Sequence, residues 1–288
     1  MHGMDWRKAL GASLTEELAM ALAALPDEEA DAATELRVRV GGARLCGTHG
    51  ARELCGMDAA GMRMLIERMT RGRMHALGEC ARQGYLPLEG GFRAGICGRA
   101  ILRGGQVEGI EDISGICVRL ARDVPGAADG VMAHIMCGSR VRSALVLSAP
   151  GLGKTTLLRD AARQLIGQGV NIAIADERGE LNGIAGADVL SMCPKAQALA
   201  MLTRTMRPDA IVTDELGAPG DAQAAADAVR CGAAVIASAH ADTPTHAAHR
   251  PGLSEAVRAG LFERIISIGG PHPGQNITVY DERGKRLC

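Results

Sequence analysis

Lys154 and Thr155 are the residues whose types and spacing most plainly point to chemistry. They close the stretch Ala-Leu-Val-Leu-Ser-Ala-Pro-Gly-Leu-Gly-Lys-Thr-Thr, residues 144 to 156. Only four of the chain's 32 basic residues are lysine, so a lysine here is not compositional noise. An apolar strand, a glycine-rich turn and a helix start, in that order, make a nest for an anion. Gly151 and Gly153 let backbone N–H groups approach phosphate with no Cβ in the way. Lys154 is expected to reach the β- and γ-phosphates of a nucleoside triphosphate, and the Thr155 hydroxyl to coordinate Mg²⁺. The pattern is that of the phosphate loop, G-x-x-x-x-G-K-[ST], with Ser148 standing where the first glycine belongs. Pro150, Gly151, Leu152, Gly153, Lys154, Thr155 and Thr156 form the expected cradle for ATP. The plain alternative is an ordinary glycine-rich strand-to-helix turn.

Two further apolar runs end in Asp-Glu: Ile172-Ala-Ile-Ala-Asp176-Glu177 and Ala210-Ile-Val-Thr-Asp214-Glu215. Both place acids at the carboxyl ends of strands, where ligands bind in parallel sheets. Asp214 is assigned to the Mg²⁺ shell, through water, and Glu215 to the general base that orients the attacking water. Asp176 and Glu177 are either an outer layer of the same site, with Glu177 a second candidate base, or a capped turn before Gly179. His240 ends a third such strand and is placed to sense the γ-phosphate, unless it is a satisfied structural histidine. His246 and His249 invite a metal reading with His240, but no carboxylate or thiolate completes the set. An Asn-Lys-x-Asp guanine-reading motif and a Leu-Ser-Gly-Gly-Gln transporter signature are both missing.

The elements around these residues change character along the chain. Residues 13–25 read as a helix with a Ser13–Glu16 capping box. Residues 35–40 and 43–46 read as paired strands, Asp58 as the cap of a helix bearing Met62, Leu65, Ile66 and Met69, and 73–83 as another helix. The glycine-rich stretch 84–105 reads as strands with tight turns, and 116–120 as a further strand. Turn composition over 123–130 marks a boundary, giving an N-terminal α+β domain, 1–125, and a second domain, 126–288. The second domain alternates: strands at 144–147, 171–175, 210–213 and 233–238, helices at 154–166, 195–206 and 221–231. A hairpin over 264–268 and 276–280 closes it. Alternation of this kind implies a mostly parallel sheet covered on both faces.

Formal net charge is −1, and the halves split near residue 125 carry 16 basic against 17 acidic residues and 16 against 16. Neither half is a basic footprint, so nucleic acid is not an expected partner. Nine scattered cysteines without a C-x-x-C pair read as reduced thiols of a cytoplasmic protein. No apolar run approaches the roughly 20 residues that span a bilayer.

Four features in order carry a family resemblance: the loop at 148–156, Asp176-Glu177-Arg178, Arg207-Pro208-Asp209 through Asp214-Glu215, and Ser238-Ala-His240-Ala. They resemble the secretion ATPases of type II, type IV pilus and type IV secretion systems. Gly-Lys-Thr-Thr-Leu-Leu-Arg-Asp at 153–160, Cys193-Pro194-Lys195 and Gly90-Gly-Phe-Arg93-Ala-Gly-Ile-Cys-Gly98-Arg99-Ala resemble, more narrowly, the stage III sporulation AA family. The resemblance implies a P-loop NTPase of the RecA-like (ASCE) α/β class with a smaller α+β N-terminal domain. It implies a homo-oligomer, a hexameric ring, driven by ATP and Mg²⁺. It also implies membrane-protein partners in a sporulation or secretion complex between mother cell and forespore, with the ring cytoplasmic and peripheral at the inner, mother-cell face. Arginines of the N-terminal domain that reach the nucleotide at a subunit contact map to Arg93, Arg99 and Arg119. Phe92 stands where that family often has histidine. A nucleic-acid-dependent ATPase and a non-catalytic nucleotide-gated scaffold are the alternative functions.

Overall fold

The computed structural model describes residues 6–48, 50–72, 78–88, 92–120, 124–181, 183–270 and 276–287. The chain divides into two compact units, Met1–Arg122 and Asp123–Cys288.

In the first unit, helices α1 (Trp6–Gly11), α2 (Glu16–Ala23) and α3 (Asp27–Ala32) precede strands β1 (Ala33–Arg39), β2 (Gly42–Gly47) and β3 (Gly50–Cys55). Then come α4 (Ala59–Thr70), α5 (Gly78–Arg82), β4 (Tyr85–Pro87), β5 (Arg93–Arg103) and β6 (Gln106–Arg119). The strands form one antiparallel sheet in the order β3-β2-β1-β6-β5-β4. Alternation fixes its faces: Leu36 and Val38 of β1 are buried beside Leu18, Leu22, Met62 and Leu65 from the helices, while Arg39 is exposed. Asp58 caps α4 by accepting the Gly61 N–H at 2.6 Å. The Ser13–Glu16 capping box does not form. Leu10 and Leu14 are both fully buried, and the turn that buries them takes Ser13 away from the helix start. The N-cap of α2 is Thr15, without a side-chain cap bond. Of the helix expected over 73–83, Gly78–Arg82 is present, and 73–77 lie outside the described residues, as do Gly90 and Gly91.

The second unit opens with α6 (Asp129–Ile135) and the short pair β7 (Met136–Cys137) and β8 (Arg140–Val141). It continues with β9 (Ala144–Ser148), α7 (Lys154–Gly167), β10 (Ile172–Asp176), β11 (Asp188–Ser191), α8 (Lys195–Thr205), β12 (Ala210–Thr213) and α9 (Asp221–Arg230). It ends with β13 (Ala234–His240), α10 (Pro244–Ala247), α11 (Ser254–Arg258), β14 (Arg264–Ile268) and β15 (Ile277–Asp281). Seven strands make one sheet, β11-β10-β12-β13-β9-β14-β15, parallel except for the last. The core strands are buried on both faces, so their sequences are continuous apolar runs. Val146, Ile174, Val212 and Ile236 meet Leu157, Leu158, Ala161 and Leu165 of α7 on one face. Leu145, Leu147, Ile211 and Val235 meet Leu199, Leu202, Ala225 and Ala228 of α8 and α9 on the other. The eight described cysteines are free thiols. No helix among the described residues is long and apolar enough to cross a membrane.

Candidate nucleotide site

Strand β13 lies between β9 and β12, so the phosphate loop after β9, His240 ending β13, and Asp214-Glu215 after β12 end side by side. Gly151 and Gly153 have φ of +78° and +90°, in the left-handed region that favours glycine. Among the described residues, apart from its chain neighbours, no atom lies within 4 Å of a Cβ built on Gly151, so the backbone angle, not space, demands glycine there. Gly153 is the N-cap of α7 and has no side chain to cap the helix's first amides, so those donors face the loop, where an anion can take them.

Lys154 is 8% exposed. Its Nζ donates to the carbonyls of Ser148 at 3.0 Å and Ala149 at 3.1 Å, and to Ser148 Oγ at 3.1 Å. The serine that replaces the first loop glycine thus supplies the lysine with an acceptor. Burial pushes the ammonium below the usual lysine range, with Glu215 pulling it back up.

His240 touches both halves of the site. Nδ1 is 3.0 Å from Lys154 Nζ, and Nε2 is 3.1 Å from Glu215 Oε1. An ammonium offers only donors, so Nδ1 accepts and the ring proton sits on Nε2, donated to the Glu215 carboxylate. Arg178 pairs with the other Glu215 oxygen, and the Arg250 guanidinium donates to the His240 carbonyl.

The two acidic strand ends differ. Asp176 is fully buried, and its carboxylate accepts the N–H groups of Glu180 at 2.9 Å and Leu181 at 3.0 Å. It clamps the turn 176–181. That turn, with the Arg159 guanidinium donating to the Glu180 carbonyl at 3.1 Å, brings Glu180 Oε2 to 3.4 Å from Thr155 Oγ1. Asp214 is 2% exposed, yet neither carboxylate oxygen accepts a hydrogen bond among the described residues. Lys195 Nζ stands 3.6 Å from Asp214 Oδ1 and 3.6 Å from Glu177 Oε2. Burial lifts the Asp214 carboxyl to about 6 despite that ammonium.

A bare buried carboxylate costs free energy unless something outside the chain completes it. Mg²⁺ keeps several waters and uses only one or two protein groups beside substrate phosphates. Thr155, Asp214 and Glu180 fit that role, although among the described residues no three His, Cys, Asp or Glu side chains gather into a metal cluster. His249 Nδ1 lies 2.7 Å from the Thr245 carbonyl, and His246 Nδ1 stands 3.7 Å from Asp242 Oδ2, so both face local partners. Glu180 escaped the sequence reading because its distance from Thr155 depends on the Asp176 clamp. Lys195 escaped it as a site residue because α8 must first be folded against β12.

Residues 29–287 match the family described as Sporulation stage III, protein AA. The chain belongs to that family. It is 33% identical over 241 residues to Stage III sporulation protein AA of Bacillus subtilis (strain 168), covering 78% of each chain. The fold of this sporulation-family chain is that of the secretion ATPases. The Legionella pneumophila ATPase DotB superposes with a TM-score of 0.55 at 16% identity, over 83% of this chain and 73% of DotB. The pilus retraction motor PilT with bound ADP gives 0.53 at 16% identity, over 86% and 78%. The arginines that the resemblance singles out lie in the N-terminal unit of the sporulation-family chain. Arg93 stacks 3.6 Å over the Tyr85 ring, Arg99 pairs with Glu111 at 3.0 Å and Asp112 at 2.9 Å, and Arg119 is exposed at the end of β6.

Proposed function

We propose that the chain is a Mg²⁺-dependent ATP hydrolase, a motor of the secretion-ATPase kind that acts as a hexameric ring. Its partners are membrane proteins of a sporulation complex between mother cell and forespore, met at the cytoplasmic, mother-cell face. The observation that carries this reading is His240, which bonds Lys154 through one ring nitrogen and Glu215 through the other. A phosphate-binding lysine and a base for water are thereby held on one side chain.

The phosphates rest in the loop from Pro150 to Thr156, on the backbone amides that follow the proline, and Lys154 trades its loop carbonyls for the β- and γ-oxygens. Thr155, Asp214 and Glu180 are the residues that would hold Mg²⁺, which would supply neutralisation of charge on the phosphates. Glu215 accepts a proton from the attacking water as general base, with Glu177 outside it beside Lys195. His240 loses its lysine partner when Lys154 turns to phosphate, so its ring reports nucleotide to Glu215. Arg93, Arg99 and Arg119 complete the site of a neighbouring subunit.

ATP turnover tests the reading. Glu215→Gln is expected to lower kcat by about 10²–10⁴-fold. Lys154→Ala is expected to lower it by about 10²–10³-fold, and EDTA to abolish it. A wild-type protein that binds ATP and never turns it over contradicts the proposal.

A further inference from the structure

We propose that Lys195 is the positioning residue for Glu215, gripping that residue's backbone so that its carboxylate points at the reacting water; the inference rests on the ATPase reading above. Lys195 opens α8 directly after Pro194. A cation there faces the positive end of the helix dipole. It is also only 4% exposed, so it has given up most of its water. Of the chain's four lysines, two are buried in this site. Oxygens from two strand ends offset both costs. The Lys195 ammonium donates to the Glu215 carbonyl at 2.9 Å and stands 3.6 Å from Asp214 Oδ1 and from Glu177 Oε2.

Glu215 needs such a grip. Its φ is +31°, in a region that residues with a Cβ rarely adopt, and such backbones persist only where their surroundings over-determine them. The Glu215 N–H donates to Ser238 Oγ at 2.9 Å, and the following N–H, of Leu216, donates to the Ser238 carbonyl at 2.7 Å. Glu215 is therefore held at its N–H from β13 and at its carbonyl from α8. From that fixed backbone the carboxylate reaches His240 and Arg178. Without the ammonium, the strained φ relaxes and the carboxylate swings. Misplacing a reacting group by about 1 Å costs on the order of 10²-fold in rate.

Lys195→Met, Lys195→Arg and Ser238→Ala test this against wild type, with kcat measured beside the dissociation constant of a fluorescent ATP analogue and the melting temperature. For Lys195→Met, kcat is expected to fall about 100-fold, while analogue binding stays within about threefold. Lys195→Arg keeps a donor and is expected to recover about tenfold of that loss. Ser238→Ala removes the opposite grip and is expected to lower kcat about tenfold, again without weakening binding. Should Lys195→Met not fold, the Ser238→Ala split decides the matter alone. Undiminished kcat in Lys195→Met, or binding lost in step with turnover, overturns the inference and leaves the ATPase reading standing. An inactive wild type overturns both.

Discussion

Asp176 and Asp214 end neighbouring parallel strands with the same sequence signature, an apolar run closing in Asp-Glu. Both are buried, at 0% and 2% exposure. Asp176 accepts two backbone N–H groups and closes a turn. Asp214 accepts none among the described residues. The first carboxylate is used up by the fold. The second stands beside Lys195 with both oxygens unpartnered among the described residues.

The sharpest way to break this contrast is to remove each carboxylate and watch stability. Asp176→Ala strands the buried Leu181 amide and the half-buried Glu180 amide, at a cost of at least about 1–3 kcal/mol, and a melting temperature lower by several degrees checks it. The variant is also expected to lose turnover, because Glu180 is then no longer presented to Thr155. Asp214→Asn is expected to melt at or above wild type at pH 7.

Titration tests the bare carboxylate directly. The folded Asp214 carboxyl sits at about 6 against an ordinary 3.8, so the folded chain keeps that proton longer than the unfolded one. Stability tied to this group is therefore greatest below about pH 4 and falls as pH rises through 6. The loss is on the order of 3 kcal/mol relative to Asp214→Asn, read from melts of both proteins in EDTA. Equal pH slopes in the two proteins contradict the assignment. Burial raises Asp176 in the same direction, opposed by its backbone donors.

The smallest effect belongs to the other unit. Arg99 is exposed and pairs with Glu111 and Asp112 in solvent, so Arg99→Ala is expected to leave the melting temperature essentially unchanged. A large fall in turnover without a change in melting then assigns Arg99 to catalysis across a subunit contact.

Much of the site, though not this contrast, was legible in the sequence. The phosphate loop and the apolar runs ending at Asp176, Asp214 and His240 could be read because strands buried on both faces leave continuous apolar sequence. What separates Asp176 from Asp214 could not, since it depends on which amides the turn after each strand brings round. β3 and β11 went unread because one is mostly polar and the other a short, half-exposed edge. The hairpin of β14 and β15 was visible, but the docking of β14 parallel to β9 depends on long-range packing. Lys195 lay in plain sight as part of Cys193-Pro194-Lys195, and only the fold of α8 against β12 shows what its ammonium touches.

The most direct test of the central claim is Mg²⁺-ATP turnover by Asp214→Asn measured beside wild type under conditions where both are folded. The account predicts a loss of about 100-fold or more, in a variant at least as stable as its parent. Full turnover by Asp214→Asn would contradict it.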